Sequence, residues 1–110
     1  MIINDDYTAV NPELVKILGF DETVLLGKLN KHVKKNEASG KNFKEGKYWV
    51  SRTFEEWVKS DFIYWSADVI KKHFRKLVKM GIVISRPDFN ENPEDKTKWF
   101  TIDYEAVDKL

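Results

Sequence analysis

Apolar residues recur along this chain in two rhythms. From Asn11 to Val33, and again from Thr53 to Met80, they return at the spacing of a helix with one buried face. At Tyr48 to Val50, Ile82 to Arg86 and Thr97 to Ile102 they form short aromatic and β-branched runs, the mark of strands.

Local signals divide these stretches into elements. Asn11-Pro12-Glu13 reads as a helix start: Asn caps, Pro suits the first turn, and Glu complements the positive end of the dipole. Leu14, Val15 and Leu18 follow, and Gly19 is a C-terminal stop. Asp21 is expected to cap a second helix, with Val24, Leu25, Leu29 and Val33 on one face. Lys28, Lys31, Lys34 and Lys35 lie mostly away from that face. Residues 36–46, NEASGKNFKEG, read as an exposed loop, and Tyr48-Trp49-Val50 as a strand. Thr53-x-x-Glu56 is a capping box that opens a third helix through Trp57 and Val58. Asp61 to Trp65 forms a turn. Ser66 then caps a fourth helix, with Asp68 in its first turn and Gly81 after Met80 as its stop. Strands at Ile82 to Arg86 and Thr97 to Ile102 flank a polar loop marked by Pro87 and Pro93, and a short last helix begins near Asp103 or Tyr104. The order predicts one α+β domain, mainly α, over residues 1–110. It is that of a winged helix-turn-helix with an extra N-terminal helix, a recognition helix at 66–80 and a β-hairpin wing at 82–102.

The fourth helix carries the functional signal. On a helical wheel Ile70, Phe74 and Leu77 share a line, with Ala67 and Val78 beside it. Asp68, Lys72, Arg75, Lys76 and Lys79 fall opposite, and Lys71 sits at the edge. A basic helix held by a small module fits the major groove of DNA, where cations neutralise phosphates and read guanine edges. Ser66, Ala67, Asp68, Lys71 and Lys72, near the helix start, are the candidate base readers. Arg75, Lys76 and Lys79 are candidate phosphate contacts, joined by Arg86 and Lys98 at the base of the wing. Against this stands the plain alternative that late basic residues complement the helix dipole and stay solvated. Asp68 fits dipole compensation better than base reading.

Net charge is only +1, but its distribution is uneven. Residues 1–27 balance at −4 (one base, five acids) and residues 28–47 at +5 (seven Lys, two Glu). Residues 66–79 balance at +4 (five bases, one acid) and residues 87–96 at −3 (one base, four acids). Segregated charge of this kind can show a polyanion one positive side. The acidic wing loop, with Asp88, Glu91, Glu94 and Asp95, should avoid phosphates and reads as a solubilising loop. The Lys28 to Lys47 zone reads as a solvated face with an assisting role at most. Trp49, Trp57 and Trp99 fall where packing needs them, whereas Trp65, just before the fourth helix, is placed to touch a ligand.

There is no Cys, so disulfides and thiolate metal sites are excluded, and a reducing, cytoplasmic setting is expected. No apolar run approaches membrane-spanning length, and no secretory signal is read in MIINDDYTAV. His32 and His73 lack metal-ligand spacing, and the sequence holds no HExxH, Walker loop or G-x-S-x-G. Nothing supports an enzyme, and no cofactor, metal or small-molecule substrate is expected.

Four stretches resemble one family: NPELVKILGFDETVLLGKL, KYWVSRTFEEWVKSDFIYWS, VIKKHFRKLVKMGIVIS and KTKWFTIDYEAV. From about Tyr7 to Leu110 they look like the N-terminal winged-helix domain of DnaD-like replisome organisers, replication initiation proteins of phages and plasmids. The resemblance implies a domain that binds duplex origin DNA and nucleates replisome assembly, with self-association or replisome proteins as further partners. Such proteins usually carry additional DNA- or loader-binding segments C-terminal to this domain, so loader activity is not expected of these residues. The acidic wing departs from a phosphate-gripping one. Two other readings stay open: a protein-interaction or oligomerisation module, and a transcriptional regulator of the same fold.

Overall fold

The computed structural model describes residues 11–110. The N-terminal stretch read for a secretory signal lies outside them. The fold is α+β and mainly helical, with small antiparallel sheets. Helices α1 (Pro12–Leu18) and α2 (Phe20–Ser39) come first, followed by strands β1 (Phe43–Lys44), β2 (Lys47–Tyr48) and β3 (Val50–Arg52). Then come α3 (Phe54–Ser60), α4 (Ala67–Lys79), β4 (Val83–Arg86), a 3-10 turn at Pro87–Phe89, β5 (Lys98–Ile102) and α5 (Tyr104–Asp108). No helix among the described residues is long and apolar enough to cross a membrane.

Most predicted caps are present. Asn11 Oδ1 accepts the Glu13 and Leu14 backbone N–H groups at 2.9 and 3.4 Å. Thr53 and Glu56 form the reciprocal capping box, and Ser66 Oγ accepts from Val69 N–H at 3.3 Å. Asp103 caps α5.

Asp21 does not cap α2. The helix begins one residue earlier, at Phe20, and Gly19 is shared as the end of α1 and the cap of α2. Its φ of 103° lets the chain reverse there without a spacer, and a Cβ would meet Glu22 Oε2 at 2.7 Å. Asp21 instead occupies the first turn, where its charge complements the dipole.

The expected loop at 36–46 is also corrected. α2 runs on to Ser39, and a β1–β2 hairpin follows. Glu45 (φ 52°) and Gly46 (φ 76°) take the left-handed backbone that a two-residue hairpin turn requires. The strand read at Tyr48-Trp49-Val50 is split, because Trp49 is buried and bonded sideways. Its backbone N–H donates to Asn42 O at 3.1 Å and its indole N–H to Lys44 O at 2.9 Å.

The larger sheet has the order β3-β5-β4, with Val50 opposite Phe100 and Ser85 opposite Phe100 on its other side. α2 contacts α1, α4 and β5, so it is the central support. Tyr104 Oη donates to Asn30 Oδ1 at 2.6 Å and ties the start of α5 to the middle of α2. α4 docks through Ile70, Phe74 and Leu77, all buried. The Phe74 ring stacks on Phe100 with centroids 4.1 Å apart and planes 7° apart. Trp57 and Phe54 approach the same ring at 5.6 and 6.2 Å.

Two carboxylates brace the helical layer. Burial pushes Asp61 up, but the His32 imidazole at 2.5 Å, together with Arg52 and Lys28, outweighs it and holds the acid below its ordinary value. Burial acts likewise on Glu22, and a backbone N–H, His73 and Lys76 reverse it. Lowered carboxylates contribute stability above their unfolded value, about 4, and lose it as pH falls through the folded value. Urea melts should therefore show stability falling in acid, with a shallower fall in Asp61→Asn. Phe74→Ala should cost about 3–5 kcal/mol in the same melts at neutral pH, because it removes the ring shared by helix and sheet.

Candidate nucleic-acid interface

Docking of α4 through one apolar line turns its other side outward. Lys71, Lys72, Arg75, Lys76 and Lys79 are all exposed. No described carboxylate forms an ion pair with Lys71, Lys72, Arg75 or Lys79. Ser66 and Asp68 are exposed at the helix start, while Ala67 is half-buried. Ser66 is occupied as the cap. Val78, expected beside the apolar line as part of the apolar face, is 36 % exposed, because it sits on the flank of the helix and not over the core.

Lys76 departs from its neighbours. Its Nζ donates to Leu18 O at 3.0 Å and lies 3.4 Å from Glu22 Oε1. It closes the end of α1 against α4. His73 stands beside it, with Nδ1 2.9 Å from Glu22 Oε1 and Nε2 3.6 Å from Asp21 Oδ2. Both residues face the α1–α2 junction. The sequence suggested their flank only through the wheel, since Glu22 is fifty-one positions from His73.

The two residues expected at the base of a wing, Arg86 and Lys98 on the β4–β5 hairpin, also separate. The Arg86 guanidinium bonds both Asp88 and Glu45, and it covers the Phe89 ring at 4.5 Å. These hydrogen bonds raise Arg86 and depress Asp88 to about 2. Its charge is neutralised within the protein. Lys98 keeps a different place, on the far wall of a cleft beside α4.

The β4–β5 loop is a self-bonded unit. Asn90 Nδ2 donates to Thr97 O at 2.6 Å, and its Oδ1 accepts from the Trp99 indole at 2.8 Å. Asp95 Oδ1 accepts from Thr97 N–H at 2.9 Å. Phe89 packs edge-on against Trp49 and Trp99, with Lys44 over Phe89 and Trp99. The β4–β5 hairpin is thereby fastened to the β1–β2 hairpin, and Glu91, Glu94 and Asp95 stay exposed. Sequence reasoning missed this fastening; its only signal was the Glu-Gly pair inside Lys44-Glu45-Gly46-Lys47.

Trp65 is placed against protein. Its ring stacks on Phe62 with centroids 4.9 Å apart and approaches His73 at the same distance. The Lys28 to Lys47 zone contributes a separate polar recess of about 180 Å³, lined by His32, Lys35, Lys41 and Arg52 among others. Among the described residues, no group of three or more His, Asp or Glu is gathered for a metal.

Comparison with protein-family models, curated proteins and solved structures returned no match.

The Lys76 contacts join two elements that are far apart in sequence, and the side chain is half-exposed, which weakens its ion pair. Lys76→Ala should lower stability by about 1 kcal/mol in urea melts, chiefly through the lost bond to the Leu18 carbonyl. Lys72→Ala, with no such bond, should leave the midpoint unchanged within about 0.5 kcal/mol.

Proposed function

We propose that this chain is a winged-helix DNA-binding domain that lays α4 in the major groove of duplex DNA, as the DnaD-like resemblance implies. The observation that carries the reading is the exposed cation row of α4: Lys71, Lys72, Arg75 and Lys79, projected by a single buried seam and left without carboxylate partners among the described residues. In this reading α3 and α4 are the helix-turn-helix, β4 and β5 are the wing, and β3 is the strand that pairs with the wing from the side. The chemistry is phosphate neutralisation with counterion release, aided by base contacts from the first turns of α4.

The contact set is smaller than the sequence suggested. Lys76 and Arg86 are engaged within the protein and contribute position more than charge. Lys71 and Lys72 face outward near the helix start and are the base-reading candidates, while Arg75 and Lys79 suit phosphates. The wing makes little contact, because its exposed tip is acidic. Within the family resemblance, the role is replication initiation at a phage or plasmid origin.

Duplex binding should weaken steeply with salt, the slope of log K against log salt reporting the number of phosphates met. Arg75→Glu combined with Lys79→Glu should abolish retention on duplex DNA in an electrophoretic shift while the circular dichroism spectrum is preserved. Unchanged retention by that folded variant would remove α4 as the interface. A series on random and origin-derived duplexes separates sequence-specific from general binding.

A further inference from the structure

The flank of α4 away from Lys76 borders a cleft of about 340 Å³. Its floor and walls are mainly apolar, from Phe54, Phe74, Val78, Pro87 and Phe100, with Ser85 among them. Its rim is cationic, with Lys71, Arg75 and Lys79 on the helix and Lys98 on β5 opposite. No carboxylate lines it. Phe74 and Phe100 are buried side chains, so the cleft is a shallow, open groove along the line where the helix meets the sheet. Val78, which sequence periodicity assigns to the core, opens into this gap.

Duplex DNA does not explain the cleft. A duplex offers phosphates and base edges, and beyond a thymine methyl it has no apolar projection to insert. The cleft calls for a ligand with an apolar anchor and negative charge on both sides of it. Its volume lies at the lower end of the ligand-pocket range, which suits one or two side chains. We infer that the α4–β5 cleft docks an acidic, amphipathic peptide segment of a partner protein, anchored by a buried aromatic or aliphatic side chain and flanked by carboxylates that pair with Lys71, Arg75, Lys79 and Lys98.

The anchor displaces water from the apolar floor, and the flanking carboxylates fix its register against the four cations. Because Arg75 and Lys79 also serve the proposed DNA contact, peptide and duplex exclude one another. Occupation of the cleft releases the domain from DNA. The inference does not require the DNA reading, since the cleft and its rim exist whether or not a duplex is ever bound.

The test uses a short fluorescein-labelled peptide of aspartates and glutamates carrying one phenylalanine, with fluorescence anisotropy as the readout. The chain should bind it, and replacing the phenylalanine by alanine in the peptide should weaken binding about tenfold, or about 1.4 kcal/mol. Val78→Trp fills the cleft without adding charge, at a position already open to solvent, and should give a similar loss. Its affinity for duplex DNA should stay within about twofold of the parent. Lys98→Glu should weaken the peptide and serves as a second variant if Val78→Trp fails to fold. Equal affinity for the phenylalanine and alanine peptides would overturn the inference, because charge alone would then account for binding. So would concentration-dependent self-association in sedimentation that Val78→Trp abolishes, which would assign the cleft to a second copy of the chain. Peptide binding without duplex binding would sustain the inference and overturn the DNA reading, and the reverse result would do the opposite.

Discussion

The contact between Phe74 and Phe100 determines what the rest of the molecule can present. It is the point where the strongly amphipathic helix α4 meets the central strand of the sheet. A face-to-face stack at 4.1 Å fixes both the rotation of α4 about its axis and its distance from β5. Ile70 and Leu77, a turn to either side, keep that rotation from drifting. Every exposed cation on α4 takes its direction from this constraint. A rotation of one residue would bring Val78 over the core and carry Lys71 toward the protein, closing the cleft and removing a cation from the outer row.

Charge in this protein is sorted by whether it has an internal partner. Lys76, Arg52 and Arg86 are cations with carboxylates near them, and each joins elements that sequence separates: α4 to the α1–α2 junction, β3 to the end of α3, and the β4–β5 hairpin to the β1–β2 hairpin. These contacts are half-exposed and individually weak, so their value is register more than stability. Once they are set aside, the row on α4 remains as cations without described carboxylate partners. A protein of net charge +1 thus carries an attractive field on the outer side of α4, in addition to the second positive zone of residues 28–47. The acidic β4–β5 loop is held by Asn90, Asp95 and the aromatic cluster at its base, and none of its carboxylates pairs with that row among the described residues.

The parts of the fold that were legible in the sequence are those written by local chemistry. The capping box at Thr53, the caps at Asn11 and Ser66, the start of the last helix near Asp103, and the apolar line of α4 each depend on residues within a few positions of one another. What was misread depends on partners far along the chain or on backbone conformation. Asp21 looked like a cap because aspartate commonly is one, yet Gly19 offered a backbone that starts the helix earlier. Trp49 looked like a strand residue, and its strand breaks because the indole is held by Lys44 O. Arg86 and Lys76 looked like free cations because Glu45, Leu18 and Glu22 are invisible to a helical wheel. The cleft was illegible for the same reason: Lys98 and Phe100 reach Lys71 and Phe74 only through the sheet.

The two faces of the site follow from one geometry. A helix docked through a narrow seam leaves two flanks, and here the flanks meet different neighbours. One flank meets the α1–α2 junction, where Glu22, Asp21 and the Leu18 carbonyl satisfy His73 and Lys76, so it is closed by polar contacts. The other meets the sheet across Val78, where no carboxylate lines the gap and mainly apolar walls, with Ser85 among them, remain open below a cationic rim. The outermost row between them is open to solvent. A polyanion needs only that row, whereas a ligand with an apolar anchor needs the row and the open flank together. The seam that points the cations outward therefore also creates the cleft, and any ligand of the cleft must share cations with any ligand of the row.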